Sequence, residues 1–130
     1  MPMMNESGVY RPCLILVHGD ASYAAETCLR FRRQGWDVYE AADGPEARRL
    51  ARMMEPDLVV LEAEPAGETG WLTCAKLTRE RPGCRVILVC DDAGPSNRRM
   101  AHFSGAVALA RREDSLLALV ETLAARRSAA

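Results

Sequence analysis

Residues 13–23 read CLILVHGDASY, and the fold turns on how that stretch divides. Its first five residues, Cys13 to Val17, are apolar without interruption. A strand with one wet face alternates, whereas an unbroken apolar run of this length suits a strand covered on both faces. The chain then turns polar at His18, Gly19 and Asp20. Beyond them Ala24, Cys28 and Phe31 recur at helical spacing and form one apolar stripe. An apolar strand, a polar triplet and an amphipathic helix make one βα unit.

The same unit recurs along the chain. The first helix spans about 21–34 and Gly35 closes it. WDVYEA (36–41) alternates and predicts a second strand, and Asp43-Gly44-Pro45 opens a second helix with proline in its first turn. Ala47, Leu50, Ala51 and Met54 fall on one face of that helix. PDLVVLE (56–62) is a third strand, the Pro- and Gly-rich AEPAGETG is a loop, and a third helix covers 71–81. CRVILVC (84–90) is a fourth strand, followed by a helix that starts near Pro95 and stops before Gly105. AVALA (106–110) is a weak fifth strand. The last helix, 113–127, turns Leu116, Leu117, Val120 and Leu123 inward. The expected fold is therefore α/β: a (βα)₅ doubly wound, five-stranded parallel sheet with helices on both faces. The expected organisation is a disordered or extended N-terminus (1–11), one domain (12–127) and a short tail (128–130). Sites in such sheets lie beyond the carboxyl ends of the strands. That rule selects His18–Asp20, Glu62, Cys90 and the turn after Ala110.

Composition narrows the function. The 130 residues carry a net charge of −1, and of 17 basic residues only Lys76 is lysine. Nothing in that balance favours nucleic acid or an anionic membrane. Five cysteines, an odd number without C-x-x-C spacing, read as free thiols in a reducing compartment. No apolar run approaches the ~20 residues of a membrane span. MPMMNESGVYRP lacks the order of a signal peptide. A cytoplasmic location is expected.

Several phrases in their order and spacing resemble one family, the receiver domains of two-component response regulators, which are flavodoxin-like. WDVYEAADGPEA, PDLVVLE, the loop ending GETGW, RVILVC and FSGAVALARR carry the resemblance over nearly the whole span from Cys13 to Arg127. It implies a pair of acids after strand one that holds Mg²⁺ and a phosphoacceptor aspartate ending strand three. It also implies a hydroxyl residue ending strand four, a lysine after strand five, and an aromatic switch residue three positions before that lysine. This chain places His18 and Gly19 at the acidic pair, with Asp20 the nearest remaining acid. Glu62 stands at the acceptor, Cys90 at the hydroxyl, Arg112 at the lysine and Leu109 at the aromatic. The proline expected after the lysine is Glu113.

Those departures bear on the chemistry. Phosphoryl transfer needs a metal to neutralise charge on the transferred group, and Mg²⁺ is held through carboxylate oxygens and water. Imidazole and glycine do not replace a missing carboxylate. Glu62 carries its oxygens about one bond length too far, and errors of ~1 Å cost ~10²-fold in positioned reactions. A thiol is a weak donor where a hydroxyl is expected. Lys76 lies mid-helix and remote from the pocket.

The expectation is thus an atypical receiver, independent of phosphorylation, acting as a protein-interaction module rather than an enzyme. It would use no cofactor, with Mg²⁺ binding lost or weak and no metal site. Glu62 either imitates a phosphorylated aspartate or is a solvated strand end; in the first case Arg112, or Arg111, is its expected partner in a lock. His18 is a hydrogen-bonded structural residue unless it senses pH or binds metal, and Asp20 caps the first helix. Cys90 is an inert thiol or a redox sensor. Asp91 and Asp92 are a solvated helix start. Arg98, Arg99, His102 and Arg111 would mark an interaction face on the fourth helix, fifth strand and fifth helix. That face would serve a signalling protein, a kinase or a second copy. Two alternatives stay open: a phosphoacceptor using unusual ligands, and a flavodoxin-like domain binding a small ligand. The chain is either a stand-alone receiver or part of a longer regulator.

Overall fold

In the structure, a computed structural model that describes residues 10–64 and 67–129, the apolar runs become a five-stranded parallel sheet. The strands are β1 (Cys13–Val17), β2 (Asp37–Glu40), β3 (Leu58–Glu62), β4 (Val86–Val89) and β5 (Ala108–Ala110). Their order is β2-β1-β3-β4-β5, and every pairing is parallel. The helices are α1 (Ala21–Arg33), α2 (Gly44–Met54), α3 (Gly70–Glu80), α4 (Pro95–Ser104) and α5 (Leu116–Ala129).

The period-two geometry of a strand divides each apolar run between two cores. Ile15, Val17, Val59, Leu61, Val86 and Leu88 face Ala47, Ala51, Cys74, Leu77 and Ala101 of α2, α3 and α4. Leu14, Leu16, Leu58, Val60, Ile87 and Val89 face Ala24, Cys28, Phe31 and Leu116 of α1 and α5. The three central strands are therefore apolar at nearly every position because neither face meets water.

The elements are shorter than the sequence pattern suggests where a turn claims the end residues. Trp36 N–H bonds back to Phe31 O (3.1 Å) and Cys84 N–H to Arg81 O (2.8 Å), so both belong to turns and not to strands. Ala106 N–H bonds to Ala101 O (3.0 Å) as part of the α4 exit, where Gly105 adopts φ 93°. The last helix starts three residues later than expected, because Asp114 accepts from Arg111 N–H (2.9 Å) and Ser115 Oγ accepts from Ala118 N–H (3.2 Å). It continues through Ala129, into the segment expected to be tail; residue 130 lies outside the described residues. At the other end the described residues begin at Tyr10, ahead of residue 12. Asp57 accepts from the Tyr10 hydroxyl and from Cys13 N–H (2.7 Å). Residues 1–9 of the expected N-terminal segment lie outside the described residues.

One contact seats the end of β3. Gly70 N–H donates to Ala63 O (2.8 Å), drawing the start of α3 against the backbone that carries Glu62. A Cβ at Gly70 would strike the Glu62 carbonyl oxygen and lie 2.9 Å from Ala63 Cα. Neither neighbour is a flexible side-chain end. Gly70→Ala is expected to lower stability by about 1–3 kcal/mol, the cost of overpacking. Gly83→Ala, where an added Cβ meets nothing within 4 Å, leaves it nearly unchanged. Urea denaturation of the two variants checks the contrast.

Candidate functional site

The sheet order changes direction between β1 and β3, so the carboxyl ends of those strands lie side by side. His18 follows β1, Glu62 ends β3, Cys90 follows β4 and Arg112 follows β5. All four line one cleft of about 180 Å³, together with Glu64, Val89, Asp91, Asp92 and Asn97. The strand-end rule therefore assembles the expected pocket residues, with Gly19 and Asp20 beside them. Leu109 is the exception. It packs against the core beneath α2, α3 and α4.

Inside this pocket the contacts differ from the expected lock. Glu62 does not pair with Arg112 or Arg111; its Oε1 accepts the Gly19 N–H at 2.8 Å. The extra methylene takes the carboxylate across to the β1–α1 loop. The missing side chain at position 19 leaves room for it, since a Cβ there would sit 3.1 Å from Oε1. Arg112 instead holds Asp20 (Nη1 to Oδ2, 2.7 Å) and reaches Asp91 (Nε to Oδ1, 3.4 Å). Asp20 is the α1 cap that the sequence suggests, accepting from Tyr23 N–H at 3.1 Å. That bond first, and Arg112 after it, hold the Asp20 carboxyl below its ordinary range.

His18 Nδ1 accepts from Asp20 N–H at 3.0 Å, and its ring lies 4.4 Å from that of Tyr23. Accepting through Nδ1 requires a neutral ring protonated at Nε2. Burial lowers the His18 pKa and Arg112 works in the same direction, against Glu62, Asp20 and Asp91. Cys90 donates to Asp92 O (2.9 Å), and burial pushes its thiol up, which disfavours the reactive thiolate. The other four cysteines are also shifted upward, chiefly by burial.

The loop after β3 is anchored away from the cleft. Arg48 (3.3 Å) and Lys76 (2.7 Å) pair with Glu68, and the Thr73 hydroxyl donates to it. Burial alone would raise the Glu68 carboxyl, yet bonds from Lys76, Thr73 and Arg48 bring it down to about 2. The lone lysine is thus a loop anchor on α3.

Asp91, Asp92 and Asn97 have a larger part than a solvated helix start. Asp92 O accepts from Asn97 Nδ2 (2.7 Å) as well as Cys90, and its Oδ1 accepts from Gly94 N–H (2.8 Å). The signal was the DDAGPSN phrase itself, an Asx-type turn before proline. Of the expected interaction face, Arg98 donates to Ala93 O (2.7 Å) and Arg111 pairs with Glu113 (3.3 Å), while Arg99 and His102 are exposed on α4. The sequence reading missed Phe103, which is 83% exposed beside His102. Only its outward position on the α4 stripe could have marked it.

No family model matches the chain. Sequence relatives do. The chain is 35% identical over 80 residues to the probable transcriptional regulatory protein TcrX of Mycobacterium tuberculosis, a match covering 61% of this chain and 34% of that protein. It is 34% identical over 68 residues to the transcriptional regulatory protein AfsQ1 of Streptomyces coelicolor, covering 52% and 30%. The matches thus take in about a third of the length of these relatives. Among solved structures, a two-component response regulator of the LuxR family from Aurantimonas superposes with TM-score 0.77 at 25% identity, over 92% of this chain and 86% of that one. A CheY-like receiver domain protein from Methanospirillum hungatei gives 0.79 at 20% identity, over 89% and 93%. The fold is that of response-regulator receiver domains, and the sequence relatives that match this chain are transcriptional regulatory proteins.

Asp20 serves two contacts, and substitution separates them. Asp20→Asn keeps a capping oxygen but loses the charge that holds Arg112, whereas Asp20→Ala loses both. The denaturation midpoint is expected to fall for Asp20→Ala and to move less for Asp20→Asn.

Proposed function

We propose that this receiver works without phosphorylation, as a cytoplasmic protein-binding module whose pocket is held by its own side chains. The observation that carries the reading is the Glu62–Gly19 bond. The carboxylate at the acceptor position is turned onto the very loop where receivers keep their metal-binding acids. It spends one oxygen on a backbone N–H.

The remaining groups support the same reading. His18 uses its acceptor nitrogen on Asp20 N–H, and Asp20 is committed to Tyr23 N–H and Arg112. An Mg²⁺ ion would need oxygens free to coordinate it. An imidazole, a glycine and an acid already paired do not fit that need, and no step is routed through the metal. Cys90 supplies no hydroxyl to grip a phosphoryl group. The chain's part is then recognition rather than catalysis, and a protein is the partner in keeping with a net charge of −1.

The surface of α4 offers the contact. Met100 and Phe103 lie one turn apart and Val107 follows just before the edge strand β5, all substantially exposed, among Arg98, Arg99, His102 and Arg111. Apolar side chains ringed by arginines make a common protein-binding composition. The partner is a signalling protein, such as a kinase, or a second copy of this chain.

Titration of the ¹⁵N-labelled chain with Mg²⁺ and beryllofluoride, a phosphoryl mimic, tests the pocket. The expected result is no saturable amide shift at Glu62, Cys90 or residues 96–104; a saturable shift favours the rival phosphoacceptor with unusual ligands. For the surface, Phe103→Glu is expected to leave the thermal midpoint unchanged while weakening self-association in sedimentation velocity or capture of the partner.

A further inference from the structure

His18 sits where one proton decides several contacts. Its Nδ1 is the acceptor that orders the β1–α1 loop through Asp20 N–H. Asp20 in turn caps α1 and holds Arg112, and Arg112 reaches Asp91 just ahead of α4. The histidine, Arg112 and Asp91 of this chain of contacts and the Glu62 latch all border one cleft.

We propose that His18 is a proton-operated switch that links the pocket to α4. Protonating Nδ1 turns its acceptor into a donor that opposes the Asp20 N–H, so the loop must re-form. The Asp20–Arg112–Asp91 tether then loosens, and with it the segment that leads into α4. The inference rests on the reading of α4 as the partner surface and supplies that surface with a regulator.

The groups facing the imidazole set the direction of the response. Glu62 faces it from the end of β3, with Glu64 beyond. Asp20 and the Tyr23 ring face it from α1 and Arg112 from the turn after β5. Cys90, Asp91 and Asp92 lie on the β4–α4 segment. The carboxylates Glu62, Asp20 and Asp91 favour the imidazolium, while burial and Arg112 oppose it and prevail. The folded value therefore lies below the ordinary value of ~6.5. A histidine depressed in this way contributes stability that is present above ~6.5 and lost as pH falls through its folded value. The acceptor state holds at neutral pH, and the switch trips only as pH falls below the ordinary imidazole range.

An NMR titration of the whole ¹⁵N-labelled chain from pH 7.5 to 5 tests it, following both imidazoles and the backbone amides. The His18 ring and the amides of Asp20, Asp91, Arg112 and residues 96–104 are expected to share one midpoint below ~6.5. His18→Asn sets a non-titrating acceptor at the same δ position. It should keep the neutral-pH spectrum and remove the shared transition. His102→Asn, at the chain's other histidine, should leave the transition in place. The proposal is overturned if the transition stays within residues 18–23, survives in His18→Asn, or follows the His102 ring. Should His18→Asn fail to fold, the wild-type and His102→Asn titrations decide by whether the α4 amides track the His18 ring. Because the beryllofluoride titration is run at constant neutral pH, a response there sinks the phosphorylation-independent reading and leaves the proton switch standing.

Discussion

A parallel sheet buried on both faces can put polar chemistry only at its ends, and this molecule depends on that constraint. Strands β1, β3 and β4 contribute almost nothing but apolar side chains to two cores. Their first polar residues therefore emerge together at the carboxyl edge. Because β1 and β3 are neighbours in register, the loop after one and the last side chain of the other come within hydrogen-bond reach. The Glu62–Gly19 bond follows from that adjacency, from one additional methylene at 62 and from the absence of a side chain at 19.

The pocket so formed is polar and largely self-satisfied. Each of its principal groups has a protein partner: Glu62 with Gly19, His18 with Asp20, Asp20 with Tyr23 and Arg112, and Arg112 with Asp91. Ion pairs as exposed as those of Arg112 stabilise a fold little. Their consequence is conformational, since they tie the loops after β1, β4 and β5 to one another. The groups at these strand ends are thus engaged from within the chain.

Much of the fold was legible because it rests on local patterns. Unbroken apolar runs announced buried strands, and 3.6-residue spacing announced helices. Helix starts at Asp20, Asp43 and Pro95 were signalled by capping and proline chemistry. Strand ends were overstated at Trp36, Cys84 and Ala106, where a turn competes for the same N–H groups and wins. The start of α5 was misplaced because Asp114 and Ser115 form a turn and a cap rather than a first helical turn. The membership of the cleft was also legible, since strand ends in such a sheet converge. Its internal pairing was not: Glu62 with Arg112 looked natural by charge, yet Asp20 captures the guanidinium.

By itself, then, the sequence determined the order of βα units, the burial of the central strands and the identity of the residues at their carboxyl ends. These are properties of neighbouring residues, read along a few turns or a few strand positions. Only the tertiary structure decided which polar groups bond to which. Gly19 and Glu62 are 43 residues apart, and Asp20 and Arg112 are 92 apart. Partner choice at such separations depends on side-chain length, on the room left by a missing Cβ and on the direction in which each loop leaves the sheet. Charge alone does not contain those quantities, and the folded backbone supplies them.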